Sequence, residues 1–285
     1  MNAERMIECN GVPLCAEGFG DPEDPPILLV AGMGGSMLWW EEGFCRRIAA
    51  GGRFVVRYDH RDTGRSVTYE PGRPEYTAAD LVADAAGVLD ALGIPAAHVV
   101  GVSMGGALAQ LLALGFPDRV LCLVLASTSA ATPGERELPP ATERLARFAA
   151  TASVDWSDAA SVAEYLVDYS RVLAGDRRPF DEAALRDLVR RDLDRARDFR
   201  AAQNHQLIAD GASRAPLSAI AVPTMVVHGT ADPMFPLAHG EALAREIPGA
   251  RLLTLEGAGH GIERADWDTL VPAILEHTDI RPASG

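Results

Sequence analysis

No stretch of about 18 consecutive apolar residues occurs in the 285-residue chain, so no membrane-spanning helix is expected. The N-terminus, Met1-Asn2-Ala3-Glu4-Arg5, has no basic region running into an apolar one, so no secretory signal is expected. Cysteine is scarce. The four present (Cys9, Cys15, Cys45, Cys122) show no Cys-x-x-Cys spacing and have mostly apolar neighbours. They read as buried free thiols, not as a disulfide framework or a zinc site. Basic residues are also short: 26 Lys and Arg stand against 40 Asp and Glu, a formal net charge of −14. That argues against the basic face needed for nucleic acid and disfavours an anionic membrane surface, while it suits neutral or cationic ligands. A soluble cytoplasmic protein is expected.

Hydrophobic residues, at 48%, are plentiful enough for a large core. The length fits one α/β domain carrying an insertion. The most informative stretch is Val99-Val100-Gly101-Val102-Ser103-Met104-Gly105-Gly106, an apolar strand that ends in Gly-x-Ser-x-Gly and runs straight into a small-residue helix. This is the pattern of a nucleophile elbow, where a serine sits on a sharp strand-to-helix turn. Glycines must flank it so that neighbouring backbone passes close, and the helix N-terminus beneath favours negative charge.

Around that stretch the chain alternates strand and helix. Segments 5–9 and 12–18 flank Asn10-Gly11, a strong hairpin signal. Ile27–Ala31, Arg53–Tyr58, Val120–Ala126, Val222–His228 and Arg251–Leu255 read as further strands, several of them apolar throughout as in a sheet covered on both faces. Thr77-Ala78-Ala79-Asp80 resembles a capping box for a helix from Leu81 to Leu92, stopped at Gly93. Helices are expected over Leu237–Ile247 and from about Asp266 to His277. Such alternation implies a mostly parallel sheet flanked by helices. Between 128 and 218 no strand pattern appears. Four helical stretches follow one another there: Ala141–Ala152, Ala159–Leu173, Asp181–Ala196 and Phe199–Ala209. The expected organisation is a core of 1–127 and 219–285, with 128–218 as a helical cap over the strand ends where ligands bind. A bundle used for dimerisation is the alternative reading.

A serine hydroxyl is a poor nucleophile without a base, and the base needs an orienting carboxylate. Of the seven histidines, His260 alone follows a late strand in a Gly-x-Gly setting. His98 lies at the wrong end of its strand, His60 and His228 read as structural, and His205, His239 and His277 fall on helical stretches. The strand ending at Ala126 offers only Ser127-Thr128, whereas the strand ending at His228 is followed by Asp232. The order Ser103, Asp232, His260 is that of the α/β hydrolases. Backbone N–H groups of Met104, after the serine, and Met33, in the loop Gly32-Met33-Gly34-Gly35, are the expected oxyanion donors. The same glycines only partly match a dinucleotide-binding fingerprint. Trp39 and Trp40 sit where they would wall a substrate pocket or pack the first helix on the sheet. Asp59-His60-Arg61-Asp62-Thr63-Gly64-Arg65-Ser66 reads as an Asp/Arg-pinned loop bracing the rim. A metal site from His228, Asp232, His239 and His260 lacks a recognised ligand spacing.

With these motifs in place, the chain resembles an α/β-hydrolase-fold serine esterase from end to end. Phe19-Gly20-Asp21-Pro22, Arg57 to Ser66, Gly101-Val102-Ser103-Met104-Gly105, Val222-Pro223-Thr224 and Asp232-Pro233 are similar to the aclacinomycin methylesterase group, with macrolide esterases as neighbours. The resemblance implies a Ser103 nucleophile, a His260 base, an Asp232 orienter and an oxyanion hole at Met33 and Met104. It implies hydrolysis of a bulky polyketide-type ester through an acyl-enzyme, with a small-molecule ester as substrate and no cofactor, and it leaves the oligomeric state open. One departure is Ala31-Gly32, where many relatives carry His-Gly. Other chemistries on the same fold, carbon–carbon bond hydrolysis or enol-lactone opening, are the competing expectation.

Overall fold

The hairpin at the N-terminus forms where Asn10-Gly11 directs it. Both residues have positive φ, +48° and +75°, as a tight two-residue turn requires. The computed structural model describes residues 3–134, 136–208 and 215–279. Met1 and Asn2, and Ala209 at the end of the fourth expected helix of the insertion, lie outside the described residues.

Strands β1 (Arg5–Cys9) and β2 (Val12–Phe19) pair antiparallel, and β2 pairs antiparallel with β4 (Phe54–Tyr58). From β4 on, the sheet is parallel through β3 (Pro26–Val30), β5 (Ala97–Val102), β6 (Val120–Ala126), β7 (Thr224–Gly229) and β8 (Arg251–Leu255). The order across the eight strands is β1-β2-β4-β3-β5-β6-β7-β8. The two-residue alternation of a strand splits the core in two. Leu28 and Val30 point to one face with Val99, Leu123 and Val226, and meet α2 (Ala78–Ala91), α3 (Met104–Gly115) and α7 (Ala238–Glu246). Ile27 and Leu29 point to the other with Val100, Val124 and Val227, and meet α1 (Glu42–Ala49) and α8 (Trp267–His277). Helix α2 starts at Thr77, whose N–H and hydroxyl both donate to Asp80 at 2.8 Å.

Between β6 and β7 lie α4 (Glu143–Thr151), α5 (Ala159–Ala174) and α6 (Glu182–Arg195). The fourth stretch is helical but wound more tightly than the other three. Phe199–Gln206 is a 3₁₀ helix, eight residues long where runs beyond about four are uncommon. Its polar residues Asn204 and His205 are buried and bonded to core loops, and those bonds hold the tighter winding against the α-helical alternative.

Candidate active site

Ser103 sits between β5 and α3 with φ +53° and ψ −120°, a conformation that costs a side-chain-bearing residue roughly 1–3 kcal/mol. Its N–H continues the β5–β6 ladder to the Ala126 carbonyl at 3.0 Å. Its own carbonyl accepts from Gly106 N–H and from the Thr128 hydroxyl, at 2.9 and 2.7 Å. The flanking glycines are required by contact. A Cβ on Gly101 would stand 2.2 Å from the Gly105 carbonyl oxygen, and one on Gly105 would stand 2.1 Å from that of Val30.

Asp232 lies in the turn after β7 and is 3% exposed. Its Oδ1 accepts the N–H groups of Met234 and Phe235 at 2.8 and 2.9 Å, which turns Oδ2 toward His260. His260 Nδ1 is 2.9 Å from that oxygen and Nε2 is 3.0 Å from Ser103 Oγ. Since a carboxylate only accepts, the ring proton is on Nδ1 and the Nε2 lone pair faces the serine. Three elements hold the imidazole. The His260 N–H donates to the Leu173 carbonyl in α5 at 2.8 Å, the Gly261 N–H donates to Ser127 Oγ at 3.1 Å, and the Phe235 ring meets it edge-on at 5.5 Å.

The other histidines are engaged elsewhere. His228 Nε2–H donates to the Phe235 carbonyl at 2.7 Å, and burial pushes its pKa down. His60 Nε2–H donates to the Ala31 carbonyl at 3.1 Å, with its pKa lowered by burial to about 3. His98 contacts Cys122 Sγ, His239 bridges Ser129 and the Pro139 carbonyl, and His277 reaches the Leu123 carbonyl. All four cysteines are buried free thiols whose pKa burial raises to about 12. Among the described residues no group of three or more His, Cys, Asp or Glu is placed to hold a metal, and no helix is long and apolar enough to cross a membrane.

The loop after β3 comes up beside the serine: a Cβ on Gly32 would lie 3.5 Å from Ser103 Cβ. Residues 32–35 form a turn closed by Gly35 N–H to the Gly32 carbonyl at 3.3 Å, with Gly34 at φ +71°. The Gly34 N–H donates to His205 Nδ1 at 2.9 Å. Met33 is 53% exposed, and its N–H has no partner among the described residues. Met104 opens α3, where first-turn N–H groups lack an intrahelical acceptor. The two tryptophans part company. Trp39 Nε1–H donates to Asp192 in α6 at 2.7 Å, at the edge of the insertion. Trp40 is 3% exposed and stacks on Phe44 at 5.8 Å, so it belongs to the core beneath α1 and not to a pocket wall.

The charged turn 59–66 is almost wholly buried. Arg61 grips Asp84 through two nitrogens at 2.7 and 2.8 Å. Asp62 accepts from Tyr69 N–H, Tyr76 Oη–H and Asn204 Nδ2–H, and Asp59 from the Met37 and Arg65 N–H groups. These carboxylates are fully taken up in holding loops, as a brace requires. Sequence reasoning passed over Ser127, Thr128, Asn204 and His205. No local periodicity marks them, because their partners lie in distant segments.

Comparison with known proteins fits this geometry. Residues 25–262 match the family model described as alpha/beta hydrolase fold. Rhodomycin D methylesterase DauP of Streptomyces sp. (strain C5) is 38% identical over 96% of this chain and 97% of its own. Rhodomycin D methylesterase DnrP of Streptomyces peucetius is 37% identical over the same shares. Among solved structures, a hydrolase from Pseudomonas aeruginosa PA01 superposes with a TM-score of 0.74 at 28% identity, covering 97% of this chain and 98% of that one.

Proposed function

The chain belongs to the α/β-hydrolase family as an esterase, and on that footing we propose that it cleaves its ester by a Ser103–His260–Asp232 triad through an acyl-enzyme. The observation that carries this reading is the unbroken contact line from Ser103 Oγ through His260 to Asp232, at 3.0 and 2.9 Å. His260 Nε2 takes the Ser103 proton as Oγ attacks the ester carbonyl, and Asp232 stabilises the imidazolium that results. The tetrahedral oxyanion rests on the Met33 and Met104 N–H groups, each worth about 3 kcal/mol in the transition state. His260 then returns the proton to the departing alcohol. A water, deprotonated by the same nitrogen, releases the acid and restores the serine.

The substrate proposed is the methyl ester of a polycyclic polyketide of the anthracycline class, with methanol as the leaving alcohol. The support is two relatives named rhodomycin D methylesterases that align over nearly the whole chain. A net charge of −14 suits the amino-sugar cations such molecules carry. Residues 128–218 are proposed to act as the cap over the site, since Leu173 in α5 binds His260 and the Thr142 N–H, at the start of α4, donates to the Pro233 carbonyl beside Asp232. We place the enzyme in the cytoplasm, as four buried free thiols suit a reducing compartment.

A fluorophosphonate probe tests the nucleophile. Native protein is expected to label at Ser103, and labelling no stronger than that of heat-denatured protein overturns the mechanism. Mass spectrometry after incubation with anthracycline methyl esters and macrolides tests the substrate. Loss of a methyl group is expected. Gain of one water on a macrolide instead identifies a ring ester as the substrate, and no change across the panel removes the natural-product assignment.

A further inference from the structure

The oxyanion loop does not hold its own shape. Three of the four residues in Gly32-Met33-Gly34-Gly35 have no side chain, so the turn has an unusually large backbone entropy to lose on ordering. It closes on a single long hydrogen bond of 3.3 Å, from Gly35 N–H to the Gly32 carbonyl. Yet an oxyanion donor is useful only if it is fixed before the charge develops. The restraint has to come from outside the turn.

The structure shows two imidazoles supplying it. His60 Nε2–H holds the Ala31 carbonyl at the start of the turn, at 3.1 Å. His205 Nδ1 accepts the Gly34 N–H in its middle, at 2.9 Å. The two rings pack edge to face with centroids 5.9 Å apart. His60 comes from the core, on the loop that follows β4, but His205 comes from the insertion between β6 and β7.

The tautomer of His205 is settled by its other nitrogen. Nε2 lies 2.8 Å from the Arg61 carbonyl oxygen, which can only accept, so Nε2 carries the hydrogen. Nδ1 is left with a lone pair, which is what the Gly34 N–H needs. The ring itself has little freedom. His205 is 2% exposed, and the adjoining Asn204 is tied to the core through Gly72 N–H at 2.7 Å and Asp62 at 2.9 Å. This anchoring coincides with the eight-residue 3₁₀ run, a winding that chains of this length adopt only when something imposes it. Asp192 in α6 adds a second hold on the same segment of chain, accepting from the Ser36 hydroxyl and from Trp39 Nε1–H.

We propose that His205 is a positioning residue for the oxyanion hole: by accepting the Gly34 N–H it fixes the Met33–Gly34 peptide and leaves the Met33 N–H as the loop's donor to the oxyanion. The proposal rests on the Ser103 mechanism above. It makes the insertion part of the catalytic machinery as well as a cover, since the oxyanion hole is complete only when the 3₁₀ run is docked on the core. His205 touches no reacting atom and acts through the peptide it holds.

Two near-isosteric variants separate this role from mere core filling. His205→Asn keeps an acceptor where Nδ1 stood and gives up the bond to Arg61. His205→Gln keeps a donor where Nε2 stood and gives up the acceptor for Gly34. With p-nitrophenyl butyrate as substrate, His205→Gln is expected to lower kcat by about 10- to 100-fold with KM changed less than about threefold, as for a misplaced or lost oxyanion donor. His205→Asn is expected to retain kcat within about fivefold, and the rate of fluorophosphonate labelling of Ser103 should follow the same order. Equal activity in the two variants, a better Gln than Asn variant, or an effect confined to KM overturns the proposal. A wild-type protein that does not label at Ser103 overturns the esterase mechanism, whereas a wild type that labels beside an equally fast His205→Gln variant overturns only the role of His205. Nitrogen NMR of the ¹⁵N-labelled wild type gives a reading that does not depend on the variants folding. The Nε2–H tautomer at His205 is expected, and the Nδ1–H tautomer sinks the proposal.

Discussion

Ser127 and Gly261 clasp each other across 134 residues: the Gly261 N–H donates to Ser127 Oγ at 3.1 Å, and that hydroxyl donates to the Gly261 carbonyl at 3.3 Å. The contact ties the end of β6 to the residue that follows His260. The next residue, Thr128, donates its hydroxyl to the Ser103 carbonyl at 2.7 Å. Two adjacent side chains at one strand end therefore brace both the serine and the histidine, so that the distance between them is set by the sheet. Ser127 itself takes φ +43°, a left-handed conformation held by its N–H bond to the Val227 carbonyl at 2.9 Å.

Replacing Ser127 with Ala removes this clasp and leaves the Gly261 N–H without an acceptor, at a cost of about 1–3 kcal/mol. Steady-state kinetics of Ser127→Ala on a p-nitrophenyl ester are expected to show kcat lowered about tenfold, with KM little changed. Unaltered kcat in a folded Ser127→Ala protein would mean that the contacts to Leu173 and Phe235 suffice to hold His260.

The strain at Ser103 predicts a difference between two inactive variants. Both Ser103→Ala and Ser103→Gly are expected to lose turnover by a factor on the order of 10⁶. Only glycine adopts φ +53°, ψ −120° without a Cβ penalty. After allowance for the extra entropy of glycine in the unfolded chain, Ser103→Gly should be the more stable of the two by about 1 kcal/mol. Chemical denaturation of the pair reads this directly. An Ala variant as stable as the Gly variant would show the elbow to be unstrained.

Acid should destabilise the fold through its buried histidines. Burial lowers the pKa of His60 to about 3 and that of His98 to about 4, against 6.5 when exposed. Below pH 6.5 the unfolded chain binds protons that the native one refuses, so this stability is complete above 6.5 and lost as pH falls. His60 alone amounts to about 1.4 kcal/mol per pH unit in that range. Asp59 acts in the opposite sense. Burial raises its pKa to about 6, so between 6 and 3.8 the native chain holds a proton that the unfolded chain lacks. Asp84, Asp192 and Glu263, also raised by burial, act with Asp59. The five histidines lowered by burial (His60, His98, His205, His228 and His277) outnumber these four carboxyl groups and titrate from 6.5 down in the unfolded chain. Thermal midpoints measured from about pH 7.5 to about pH 5 should therefore fall, and a midpoint that holds or rises contradicts the assignment.

Several local features were legible because their causes are local. Asn10-Gly11 turns where both residues accept positive φ, Thr77 and Asp80 begin α2, and apolar runs become strands covered on both faces. The Gly-x-Ser-x-Gly turn was legible for the same reason, since its glycines answer to backbone within a few residues or on the next strand. Trp39 and Trp40 show where such reading stops. Adjacent in sequence and chemically alike, one is bonded to Asp192 and the other is packed on Phe44, and only the direction of the chain after the turn separates them.

The sequence alone therefore determined the family, the alternation that builds the parallel sheet, and which residue types stand at its strand ends. Tertiary structure decided how those ends are held: Ser127 against Gly261, Asp232 Oδ1 spent on two N–H groups so that Oδ2 meets His260, and His205 beneath Gly34 on a helical run whose 3₁₀ winding the hydrophobic pattern does not show. Periodicity reports which face of an element is buried. It carries no information on which distant donor a buried acceptor will meet, because that pairing is fixed only when the segments pack and every buried polar group must find a partner.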